Sequence, residues 1–71
     1  MKYILAPKSQ ALSHHISLAN HVTKGGQVVL NEKEVMCSPD LQEAETLEEK
    51  AALLSGTIYN SSAEILNIIN S

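Results

Sequence analysis

Arginine, phenylalanine and tryptophan are all missing from this sequence, and cysteine occurs once. Without arginine the chain lacks the planar fork that grips phosphate, carboxylate and guanine edges at two points. Its five basic residues are all lysines, Lys2, Lys8, Lys24, Lys33 and Lys50. With Tyr3 and Tyr59 as the only aromatics, the core has to be aliphatic. Cys37 alone excludes an internal disulfide and fits a reducing compartment. No apolar run approaches the roughly eighteen residues of a membrane span. The opening Lys2 to Ala6 is too short for a secretory leader and is broken by Pro7, so a cytoplasmic protein with no membrane partner is expected. The glycines, Gly25, Gly26 and Gly56, build neither a phosphate-cradling loop nor a dinucleotide fingerprint.

What is present fits one small domain over residues 1–71, 44% hydrophobic and 18% charged. A core this size yields roughly 3–5 kcal/mol of net stability, which makes self-association a natural supplement. The net charge of −3 is unevenly spread. Residues 1–30 carry three lysines and no acid, whereas all eight acidic residues follow, with two lysines. The basic part is expected to fold against the acidic part.

Lys2 to Leu5 reads as a strand closed by Ala6-Pro7. From Ser9 the period changes: Ala11, Leu12, His15, Ile16, Leu18, Ala19 and Val22 share one face, predicting an amphipathic helix capped by Ser9 or Ser13 and stopped at Gly25-Gly26. The competing reading places a hairpin turn at Gly25-Gly26 after a short strand at 21–23, with the helix ending near His15. Gln27 to Leu30 is a strand. Asn31 then opens either an antiparallel strand from Glu34 to Cys37, the favoured reading, or a helical turn capped with Glu34. Ser38-Pro39-Asp40 resembles a helix start, and Leu41, Ala44, Leu47, Ala51 and Leu54 recur at helical spacing up to Ser55-Gly56. Thr46 with Glu49 offers a later start at Leu47. Ser61 with Glu64 opens a last helix, whose Ile65, Leu66, Ile68 and Ile69 span an arc of roughly 160°. The expected fold is α+β: strand, helix, β-hairpin, helix, helix, with the helices packed on a short sheet.

For chemistry, the histidines lack chelating spacing and Cys37 lacks a soft neighbour, so no metal or other cofactor is expected. His14 and His21 are expected in solvent and His15 partly buried. Serines, histidines and acids occur without a catalytic motif, so no enzyme is expected. Residues 47–70 partly match a helix-turn-helix through Ala52, Gly56 and Ile65, but no cation follows Lys50 and specific nucleic-acid binding is not expected. The affirmative signal is apolar surface in the C-terminal segment. Leu54, Ile58, Tyr59, Ile65, Leu66, Ile68 and Ile69 are the candidate partner-binding residues. They suggest a small non-enzymatic interaction or structural module, self-associating as a homodimer or meeting another protein. The alternative is a nucleic-acid-associated regulator using a degenerate helix-turn-helix at 47–70.

Overall fold

The computed structural model describes residues 2–17, 21 and 23–70. The elements are β1 (Tyr3–Pro7), α1 (Lys8–Ser13), β2 (Thr23–Lys24), β3 (Gln27–Asn31), α2 (Glu32–Met36), a 3-10 turn (Pro39–Leu41), α3 (Leu47–Leu53), β4 (Thr57–Tyr59) and α4 (Ser62–Ile69). The strands form one antiparallel sheet in the order β2-β3-β1-β4. The α+β class is therefore as the sequence suggested, with one strand more than was read from it.

Alternation along the strands assigns the two faces of the sheet. Ile4 pairs with Leu30 and with Ile58, and Ala6 pairs with Val28, placing these side chains on one face. Against it pack Ala11 of α1, Val35 of α2, Leu41 of the 3-10 turn, and Leu47, Ala51 and Leu54 in and after α3; together they form the main core. Tyr3, Leu5, Val29, Thr57 and Tyr59 point the other way. The helix α4 crosses β1 and β4 on that second face, and Ile65 and Leu5 are both buried there.

Three sequence expectations are corrected. The first helix stops at Ser13, with neither Ser9 nor Ser13 as its cap. His15 takes a left-handed φ of 59°, its N–H donates to Leu12 O, and the Ile16 N–H reaches back to Ala11 O at 3.0 Å. That is a complete Schellman end, secured by burial of Ile16 and Ala11 in the core. The glycine pair is thereby released to turn β2 into β3, with φ of +58° at Gly25 and +80° at Gly26, the signs a two-residue type I′ turn requires. Of the 21–23 strand, Thr23 belongs to β2, and Val22 lies outside the described residues.

The second correction concerns residues 32–37. Glu32 to Met36 form α2, with Cys37 at its C-cap, rather than a strand: Asn31 Oδ1 accepts from the Glu34 N–H at 2.8 Å, and Val35 becomes fully buried. Third, the helix expected from Ser38 is interrupted. Ser38 makes no capping bond, and α3 begins at Leu47, with Thr46 Oγ1 accepting from the Glu49 N–H at 3.1 Å. Leu41, Ala44 and Leu47 are all buried, but the segment reaches that result through 3-10 bonds, Leu41 N–H to Ser38 O and Ala44 N–H to Leu41 O, rather than one α-helix running on into α3.

The helix-turn-helix at 47–70 is not formed. β4 lies between α3 and α4, and the two helices pack on opposite faces of the sheet. The close approach suggested by Ala52 and Gly56 is real only for Gly56, and it is made to a strand. An added β-carbon would stand 2.7 Å from Ile4 Cγ2 and 3.1 Å from Ala6 Cβ.

Candidate functional site

The seven apolar residues proposed for partner binding divide between core and surface. Leu54 is fully buried and Ile65 nearly so; Ile58 is half-buried and packs on the main core. These three close the domain itself. Tyr59 and Ile69 are half-buried, while Leu66 remains 46% exposed and Ile68 39%. The division follows from the helix period. With Ile65 turned onto the sheet, Ile69 lies one turn along on the same side, Leu66 is rotated about 100° away, and Ile68 flanks the opposite border.

The cap of α4 orients this surface. Ser61 Oγ accepts from the Glu64 N–H, and Glu64 Oε2 accepts from the Asn60 N–H at 3.2 Å, which fixes the turn from the edge strand onto the second face. Among the described residues α4 is the only helix on that face, and it covers the β4 and β1 side. Toward β3 and β2 a groove of about 220 Å³ opens, bounded by Leu5, Lys24, Gly25, Gln27, Ile68 and Ile69. Tyr3 and Tyr59, the only aromatics, are cross-strand partners on the same face. A second-face surface of tyrosines, isoleucine, leucine and an adjoining groove is thus continuous from the β4 edge to the β2–β3 turn.

A larger cavity, about 380 Å³, lies between the segment that follows α1 and the region around α2. Two histidine–carboxylate pairs join these segments: His15 Nδ1 with Asp40 Oδ2, and His21 Nε2 with Glu34 Oε1 at 2.6 Å. The expected histidine exposures are reversed here. The His15 side chain is 85% exposed, whereas that of His21 is only 19% exposed. His14 is half-buried and donates from Nδ1 to Gln10 O at 2.9 Å.

A carboxylate only accepts, so Nε2 of His21 carries the proton, and in the neutral ring Nδ1 is a lone pair. That Nδ1 is buried without a hydrogen-bond partner, as is the hydroxyl of Ser38. Each such group costs about 1–3 kcal/mol when left unpaired, and both residues line this cavity, along with the exposed Cys37. Among the described residues no three His, Cys, Asp or Glu side chains are grouped to hold a metal ion. Of the pair, sequence reading touched only Glu34, three residues after Asn31, and as a capping-box position rather than a site. Its partner His21, thirteen residues upstream, was not legible.

No family model, curated protein or solved structure matches the chain. No helix among the described residues is long and apolar enough to cross a membrane.

Proposed function

We propose that this protein is a small, non-enzymatic interaction module that forms a homodimer through the second face of its sheet. The observation that carries this reading is the half-covered state of that face. A single eight-residue helix buries Ile65 and Leu5 while leaving Leu66 and Ile68 exposed beside a groove walled by Leu5, Ile68 and Ile69 on one side and Lys24, Gly25 and Gln27 on the other. A helix this short does not persist in water without packing, and burying an Ile or Leu side chain fully is worth roughly 1.5–3 kcal/mol. A second copy related by a two-fold axis offers the same helix and the same groove, so each α4 ridge meets the other's groove. The absence of arginine and the acidic C-terminal part argue against a polyanionic partner, and the unpaired thiol of Cys37 is in keeping with a cytoplasmic setting.

The test is sedimentation equilibrium of wild type, Leu66→Asp and Ile68→Asp at about 50 µM, well above a micromolar dissociation constant. The wild type is expected to be a dimer and both variants folded monomers. A monomeric wild type, or variants that stay dimeric, overturns the reading. Ile69 is the poorer position for this test because it is half-buried within the domain.

A further inference from the structure

The cavity between the two histidine–carboxylate pairs lies apart from α4, and its wall has a specific imbalance. The His21 Nδ1 and Ser38 Oγ atoms are buried and partnerless, Ser38 being only 6% exposed as a residue. Both residues line the cavity, as do Glu34, Ile16 and Pro39. No lysine lines it, and the chain has no arginine to send there, from this copy or another.

From this we infer that the cavity is a binding site for an alkylguanidinium group supplied by another molecule. The carboxylate of Glu34 only accepts, and Nδ1 of His21 accepts in the neutral tautomer whose Nε2–H is given to Glu34, so the complement is a group rich in N–H donors. Among the described lining residues Glu34 is the only acid and there is no lysine, so the complement is cationic; a guanidinium presents several N–H donors in one plane, which suits two acceptors side by side. Ile16 and Pro39 offer the apolar wall along which an aliphatic stem lies. A volume of about 380 Å³ falls at the small end of ligand pockets, which run about 300–1,000 Å³. Because neither orphan atom is open to solvent, the head group engages Glu34 first, and the His21 ring and the Ser38 hydroxyl turn to meet it.

The experiment is a titration of the full chain, labelled with nitrogen-15, with butylguanidinium and, separately, with butylurea, its neutral isostere. Saturable shifts are expected at Ile16, Ser17, His21, Glu34, Cys37 and Ser38 and at the His21 ring nitrogens, with butylurea at least about tenfold weaker. Glu34→Gln is expected to remove the preference for the cation, and Ser38→Ala to weaken binding in a chain that keeps its fold. The comparison of the two ligands stands on wild type alone, so it decides the matter even where Glu34→Gln unfolds α2. No saturable shift up to about 20 mM, equal binding of the two ligands, or shifts centred on α4 overturns the inference. If butylguanidinium binds, a blocked Gly-Arg-Gly peptide that binds more tightly assigns the group to a protein side chain, and one that fails to bind assigns it to a free small molecule.

Discussion

Lys50 Nζ donates to the carbonyl oxygen of Leu41 at 2.7 Å, and to that of Ala44 at the same distance. The lysine is only 4% exposed. In an uninterrupted helix those two carbonyls would accept from the N–H groups four residues on. Here the Leu41 carbonyl accepts from the Ala44 N–H at 3.2 Å, and one ammonium on α3 bonds both carbonyls, and thereby holds the loop before α3 against the helix.

Replacing Lys50 by Met keeps much of the volume, strands the Ala44 carbonyl and leaves that of Leu41 with the Ala44 N–H alone, so a loss of about 1–3 kcal/mol is expected, allowing for the desolvation cost that the ammonium no longer bears. Urea unfolding reads it directly. An unchanged midpoint would mean that water replaces the ammonium without penalty.

Gly56→Ala forces a β-carbon against Ile4 and Ala6, with Leu5 O a further 3.2 Å contact. Backbone and a buried side chain give little room, so about 1–3 kcal/mol of destabilisation is expected. Thermal unfolding is the check, and a neutral effect would show that α3 and β1 separate at low cost.

Ser55 follows α3 with a left-handed φ of 56°, its N–H bonded to Ala52 O and the Gly56 N–H to Ala51 O. The serine bears the penalty that glycine avoids at this position. Ser55→Gly is therefore expected to stabilise by about 0.5–1 kcal/mol, a rise of several degrees in melting temperature for a chain this size. A fall would show that the left-handed residue is not strained.

Thr46 and Ser38 precede helical turns, but only Thr46 caps one. Thr46→Ala is expected to cost about 1 kcal/mol, while Ser38→Ala, which removes a buried hydroxyl without a partner, is expected to be neutral or slightly stabilising. Paired chemical denaturation curves distinguish the two. Equal losses would mean that Ser38 makes a bond to the surrounding protein after all.

The parts of this fold legible in sequence are those governed by local chemistry. β1 and β3 are short β-prone apolar runs bounded by Pro7 and by Gly26 and Asn31, and α4 carries its Ser61 and Glu64 box. The end of α1 near His15 was legible only as the competing reading, because the residue in the left-handed turn is His15 rather than glycine and the apolar period through Leu18 and Val22 favours a longer helix. At Asn31 one signature served both a turn and a cap, and burial of Val35 in the shared core decided between them. β4 has three residues, too few for a pattern, and exists through pairing with β1. The α4 surface was legible as composition, but its division into buried Ile65 and exposed Leu66 required the sheet. The cavity was not legible, since His21 and Glu34 meet only through tertiary packing.

The proposed packing of α4 against a second copy of this chain is read by an isotope-filtered NOE spectrum on an equimolar mixture of carbon-13-labelled and unlabelled protein. Intermolecular NOEs are expected from the Leu66 and Ile68 methyl groups to protons of α4 and of the Leu5, Gly25 and Gln27 groove in the other copy, lost in Leu66→Asp. A filtered spectrum empty of α4 methyl signals, or one whose intermolecular contacts come from α1 and α2 on the opposite side of the sheet, would contradict it.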